Sequence, residues 1–158
     1  MTVDASLFRQ VMSRWASGVT VVTTAVDGQP HGLTVSAFSS LSLDPPLALV
    51  CLDNRSPMIE LVRQAGRFAI NILAADQEAL SRHFASRDKG DWSAVAHQFG
   101  PLGLPLLDGA LAAMECRLAE DLPGGDHTVF VGALEHATAA ETGPLVYYRA
   151  GYHQLTDQ

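Results

Sequence analysis

Two β-branched runs separated by a tight-turn dipeptide set the folding problem for this chain. Residues 19–26 read VTVVTTAV, residues 31–38 read HGLTVSAF, and Asp27-Gly28 lies between them. β-Branched residues suit a pleated strand, and Asp-Gly suits the left-handed dihedrals of a short hairpin loop. The spacing therefore predicts an antiparallel pair. Three later runs, 110–122, 128–139 and 145–155, read as strands in the same way, with Gly124-Gly125-Asp126-His127 as the turn joining the first two. LALVCLD at 47–53 is nearly all apolar and reads as a strand buried on both faces. RFAINIL at 67–73 reads as another strand.

Three helices punctuate these strands. Phe8, Val11, Met12 and Trp15 share a helix face, with Asp4 or Ser6 as the starting cap and Gly18 as the stop. Ser56 and Pro57 start a second helix that runs to about Gln64 and ends at Gly66. Asp76 starts a third, through about Ser86. SSLSLDPP at 39–46 is expected to be loop, because Pro45 and Pro46 interrupt regular structure. Residues 87–109 are expected to be irregular, with a short helical turn near 93–98. Strands that follow one another over short links pair antiparallel, and regular βαβ alternation is absent. The fold class is therefore mainly β (α+β), a small antiparallel barrel with peripheral helices. One domain over residues 1–158 suits the length.

Composition narrows the function. Apolar residues make up 47% and charged residues 17%, which excludes intrinsic disorder. The formal charge is −7 and no basic stripe interrupts it, so nucleic acid and anionic membrane surfaces are excluded as main partners. Cys51 and Cys116 each sit in an apolar run and read as reduced thiols of a cytoplasmic protein. The start, MTVDASLFRQ, lacks the form of a signal peptide, and no apolar run is long enough to span a bilayer. The six histidines form no HExxH and no spaced Cys/His set, so no metal site is expected. GxGxxG, GxxxxGK[ST] and GxSxG are all missing.

Three segments carry chemistry. Between Thr34 and Ser42 five hydroxyl side chains fall within nine residues, at a strand end and the loop after it. Hydroxyls and free backbone N–H groups there suit a polar or anionic ligand, and an ordinary serine-rich edge explains them equally. Asn54-Arg55-Ser56 precedes a helix, where partial positive charge and a guanidinium suit a phosphate; a plain cap with a solvated arginine is the alternative. Gly125-Asp126-His127 offers an imidazole beside a turn, either passive or a donor to a carbonyl or amide ligand.

Together these segments resemble the short-chain flavin reductases, the reductase components of two-component flavin-dependent monooxygenases. The resemblance is carried by Gly18–Thr24, Gly32–Phe38, Ser42–Pro46, Phe68–Leu73, Phe84-Ala85, Gly125-Asp126-His127 and the Tyr148…Gly151-Tyr152 tail. It implies an FMN-binding split β-barrel that forms a homodimer and holds FMN or FAD. It implies reduction of that flavin by NADH or NADPH and delivery of reduced flavin to a separate oxygenase. Thr34, Val35, Ser36 and Ala37 would then run beside the flavin ring, with backbone groups at its N5 and O4 edge. Ser39, Ser40, Asn54, Arg55 and Ser56 would hold the ribityl chain and phosphate, and Cys51 and Leu52 would line the pocket. Phe84 would flank flavin or nicotinamide, unless it is buried core. His127 would contact the nicotinamide carboxamide. An electron-carrier FMN protein on the same barrel is the main alternative. An enzyme resembling the pyridoxamine-phosphate oxidases and a cofactor-free binding domain have less support.

Overall fold

The computed structural model describes residues 2–156. Helix α1 (Ala5–Met12) is capped by Asp4, whose Oδ1 accepts from the N–H groups of Ser6 and Leu7. It ends at Ser13, well before Gly18. Then come β1 (Ser17–Gly18), β2 (Thr20–Val26) and β3 (Gln29–Val35), the last two forming the expected hairpin about Asp27-Gly28. The stretch expected to be loop is instead β4 (Phe38–Leu43), paired with β5 (Pro46–Asp53) and bulged between Ser40 and Ser42. An exposed sheet edge accepts serines that pure propensity disfavours, so tertiary pairing overrides composition there.

Helix α2 (Met58–Ala65) follows as expected. Ser56 Oγ accepts from the Met58 N–H, and Gly66 closes the helix at φ 65° with its N–H on the Val62 carbonyl. Strand β6 (Arg67–Ile72) leads to α3 (Glu78–Ala85). Asp76 does not cap α3; Gln77 occupies that position, with its amide committed to the Ala74 N–H and the Asp108 carbonyl. Residues 87–109 contain a two-stranded ribbon, β7 (His97–Phe99) and β8 (Pro105–Leu107), in place of the expected helical turn. Buried side chains hold this segment. Asn71 Oδ1 accepts from the Leu107 N–H, and the fully buried Glu115 carboxylate accepts from the Leu102 N–H. Strands β9 (Ala112–Gly124) and β10 (His127–Ala139) make a long hairpin. The last expected strand is a small hairpin, β11 (Leu145–Tyr148) and β12 (Gly151–Gln154).

Seven strands form one antiparallel sheet in the order β3-β2-β6-β9-β10-β5-β4. Its inner face closes on α2, burying Val22, Val50, Leu52, Val62, Phe68 and Phe130 in one cluster. Its outer face is covered by α3, the ribbon and β11, burying Val21, Phe84, Val95, Leu107 and Leu145 in a second. Val21 and Val22 are both fully buried because each side of β2 has its own cover. Strand β5 differs from expectation: Ala48, Val50 and Leu52 are buried, while Leu47, Leu49, Cys51 and Asp53 are half-exposed on the other face.

At the centre of the sheet, a Cβ built on Gly132 lies 2.6 Å from Cys116 Cβ and 2.8 Å from Phe68 Cζ. Gly132→Ala is expected to cost about 1–3 kcal/mol by overpacking, read as a lower urea midpoint at unchanged slope. Burial pushes the neighbouring Cys116 thiol up to about 12 from its ordinary 9.0. A thiol raised in the fold stabilises it fully below pH 9.0, and that stabilisation is lost as pH rises toward 12. Cys116→Ala is expected to flatten the loss of stability across that window, measured by denaturant titration at stepped pH.

Candidate functional site

The two edge strands of the sheet, β3 and β4, are consecutive in sequence and joined by Ser36 and Ala37 alone. Two edges can share so short a link only if the sheet curls until they meet, which is the geometry of a split barrel. Along the seam the ladder is interrupted. The Ala37 carbonyl accepts from the Cys51 N–H at 2.9 Å, and the Ser36 carbonyl accepts from Phe38 at 3.0 Å. The N–H groups of Ser36 and Ala37 find no acceptor among the described residues, and both residues are exposed. Unpaired backbone donors facing an opening form a ready ligand site.

A cleft of about 550 Å³ opens there. Its floor is Ser36, Ala37 and Cys51, and its walls include Trp15, Phe38 and Tyr147. Helix α1 forms one rim, and Arg149 and Ala150 of the β11–β12 turn another. Ser36 also borders two smaller clefts of about 200 and 210 Å³, the first shared with Thr34, Ser81 and Tyr152. Aromatic walls, free N–H donors and an arginine at the rim fit a flat ring carrying an anionic tail.

The 51–56 and 124–128 segments meet at the same end of the barrel. Asp53 pairs with His127 and Cys51 with Val129 across β5 and β10. Alternation along β5 places His127 on the face that carries Cys51, about 7 Å further along the strand. Three hydrogen bonds tie Asn54 to the β9–β10 turn and the strand after it. Its N–H donates to the Asp126 carbonyl, its Nδ2 to the Gly125 carbonyl, and its Oδ1 accepts from Thr128. The Asp126 carboxylate lies 2.8 Å from His127 Nδ1.

Comparison with known proteins agrees with this geometry. A family profile described as flavin reductase like domain matches residues 12–156. The chain belongs to the flavin reductase like domain family. It is 40% identical over 149 residues to the reductase component of 4-hydroxyphenylacetate 3-monooxygenase from Thermus thermophilus, covering 94% of this chain and 95% of that one. It is 40% identical over 156 residues to an NADH-dependent flavin reductase from Rhodococcus, covering 93% and 84%. Among solved structures, the NADH:FAD oxidoreductase SgcE6 of Streptomyces globisporus, in complex with NAD and FAD fragments, superimposes with a TM-score of 0.92. That pair is 32% identical, with 99% of this chain and 97% of the other covered. The antiparallel, mainly β architecture expected from the sequence is the architecture of these flavin reductases.

The flavin reductase residues expected from sequence divide into groups. Ser36, Ala37, Ser39 and Cys51 line the main cleft. Burial raises the Cys51 thiol above its ordinary value, so it stays protonated at neutral pH. Thr34 borders the adjoining small cleft, its hydroxyl donated to the Ser81 carbonyl at 2.6 Å. Ser40 is exposed, and its carbonyl accepts from Ser39 Oγ.

Val35 and Leu52 point the other way, into the inner core at 6% and 1% exposure, because alternation turns them from the cleft. Phe84 is fully buried against Trp92 and His83 in the outer cluster and presents no surface to a ligand in this chain. Arg55 is exposed but engaged: its guanidinium grips Asp53 at 2.6 Å, which holds that carboxyl well below the usual range. The pair engages Nε and Nη2 and leaves Nη1 open to solvent. Ser56 serves as a helix cap. Sequence reasoning missed Trp15, Tyr147 and Arg149; the one signal was a helix-spaced apolar stripe with nothing nearby to cover it.

Asn54→Ala is expected to cost about 0.5–1.5 kcal/mol, because it removes the side-chain bonds to Gly125 and Thr128 while keeping the backbone bond to Asp126. Faster amide exchange at Asp126–Thr128, with the α2 amides unchanged, is the measurement that checks it.

Proposed function

We propose that this flavin reductase passes a hydride from NADH or NADPH to FMN or FAD in the seam cleft, and that the reduced flavin serves a separate flavin-dependent monooxygenase. The observation that carries the reading is the pair of unclaimed N–H groups at Ser36 and Ala37, set in the floor of a cleft with aromatic walls. A bound flavin supplies the electron-accepting ring. Ser36 and Ala37 offer donors to its polar edge, where they stabilise added negative charge without reorganising. Trp15, Phe38 and Tyr147 supply flat apolar contact and exclude water from the ring. Among the described residues no group of three or more His, Cys, Asp or Glu could hold a metal.

His127 positions the nicotinamide. An ionised carboxylate only accepts, so Asp126 fixes the proton on Nδ1 and leaves Nε2 to take a carboxamide N–H. Hydride transfer needs proximity and orientation more than acid–base help, which is what a fixed imidazole at the barrel end supplies.

The chain acts as one domain over residues 1–158, and it pairs with a second copy. All the large apolar side chains of α1's face are exposed, Phe8 at 58% and Val11 at 58%, with Trp15 beyond the helix at 75%. A second copy that covered this face would enclose the cleft, which α1 rims. No helix among the described residues is long and apolar enough to cross a membrane, and the cytoplasm is the proposed location.

The deciding assay is oxidation of NADH and NADPH with FMN, FAD and riboflavin; inactivity with every combination overturns the reading. His127→Ala is expected to slow flavin reduction on the order of tenfold or more while leaving the flavin Kd within about twofold. Stopped-flow absorbance separates the two, and wild-type turnover at limiting nicotinamide would remove His127 from the mechanism.

A further inference from the structure

His127 stands between two carboxylates. Asp126 lies 2.8 Å from its Nδ1, and Asp53 is its direct partner across β5 and β10. Directly opposed residues of an antiparallel pair share a face, with Cβ atoms about 4.5–5.5 Å apart. The two carboxylates differ in exposure. The Asp126 side chain is 94% exposed and the Asp53 side chain 34%, so water screens Asp53 less. Left to itself, Asp53 is the carboxylate that would draw a second proton onto the ring.

Arg55 takes Asp53 out of that competition. Its Nε lies 3.0 and 3.2 Å from the two carboxylate oxygens, its Nη2 lies 2.6 Å from Oδ2, and its backbone N–H donates to Oδ1 at 2.8 Å. Those bonds, and last the charge on His127, hold the Asp53 carboxyl well below the usual range. An ion pair with an arginine side chain 90% exposed adds little to fold stability. What it does change is the charge seen by the residue opposite Asp53. The other groups around the ring are neutral. Cys51, further along the same face, is a thiol that burial keeps protonated, and the facing β9 residues Leu122 and Gly124 carry no charge.

We infer that Arg55 is a positioning residue for the reductase reaction: by holding Asp53, it keeps Nε2 of His127 free of a proton and open to the nicotinamide carboxamide. The inference rests on the role proposed above for His127. With Asp53 neutralised, the single ring proton stays on Nδ1 against Asp126, and Nε2 keeps its lone pair. With Asp53 unmasked, two carboxylates flank one imidazole, the imidazolium is favoured, and Nε2 turns from acceptor to donor. The carboxamide N–H then faces another donor. Arg55 acts through Asp53 and need touch neither hydride donor nor acceptor.

The test reads the imidazole first and the reaction second. NMR follows the His127 ring against pH in the full chain without nucleotide. Arg55→Ala is expected to raise its titration midpoint by about 0.5–1 pH unit, and added salt should shrink that rise. The Arg55→Ala, Asp53→Asn double variant is expected to return the midpoint to the wild-type value, because Asn keeps the Oδ1 acceptor and loses the charge. Arg55→Lys, which keeps a cation beside Asp53, should move the midpoint less than Arg55→Ala. In steady state at saturating flavin, Arg55→Ala is expected to raise the KM for NADH about three- to tenfold on the acid side of the imidazole range, with kcat within about twofold. The rise should fade as pH climbs above that range, and Asp53→Asn should reverse it.

A His127 midpoint unmoved in Arg55→Ala overturns the inference. So does a KM rise that is the same at every pH, or one that Asp53→Asn fails to reverse, since either makes Arg55 a direct contact. A midpoint that moves without any change in KM removes Arg55 from the reaction. A wild-type chain inactive with every nicotinamide and flavin refutes the reductase reading and with it the role in the reaction, while the imidazole titration still decides whether Arg55 masks Asp53.

Discussion

The two-residue link between β3 and β4 is the constraint on which the remaining architecture depends. It forces opposite edges of a seven-stranded sheet to approach each other. Curling then divides the sheet into a concave face that needs a plug and a convex face that needs a cover. Helix α2 is the plug; α3, the ribbon and β11 are the cover. The same link cannot complete a ladder on both sides at once, so backbone donors are left at the junction. In most folds an unfinished edge invites unwanted pairing. Here it lies beside α1 and an aromatic wall, where a flat ligand fits.

Polar residues inside the fold mark the places where one segment is told where to lie. Asn71 reads the ribbon backbone, Glu115 reads the loop before it, and Asn54 reads the β9–β10 turn. The Glu115 carboxylate is fully buried and lies 3.3 Å from His136 Nδ1 across the hairpin. Glu115 Oε1 accepts from the N–H groups of Leu102 and Leu104, and removing that buried acceptor leaves both donors without a partner. These contacts give the loops their shape where apolar packing alone is non-directional.

The hairpins, the caps of α1 and α2, and the family were legible because each is written in contiguous residues. Asp27-Gly28 fixes its own turn, Asp4 its own cap, and Gly66 its own stop. What was not legible depends on distant partners. SSLSL becomes a strand only because β5 offers an edge, and residues 97–107 become a ribbon only because Asn71 lies beneath them. The surface pair of Arg55 with Asp53, two residues before it, was not legible from spacing alone. Val35 and Leu52 sit in segments that do reach the site, but strand alternation turns their side chains inward. Trp15, Tyr147 and Arg149 come from both ends of the chain, and no local pattern links them.

The ordering of contacts in this sheet has a consequence for when a binding-competent molecule exists. The β2–β3, β4–β5 and β9–β10 hairpins close over short loops, but β5 meets β10, and β6 meets β9, only across long intervening stretches. Loop-closure entropy makes such distant pairings late events. The cleft needs β5, α1 and the β11–β12 turn in place together, so it draws on segments more than ninety residues apart in sequence. A chain emerging from the ribosome therefore has no pocket until the β11–β12 turn is free to dock. Ligand capture in this fold is a reward for completed assembly, and partially built intermediates have no share in it.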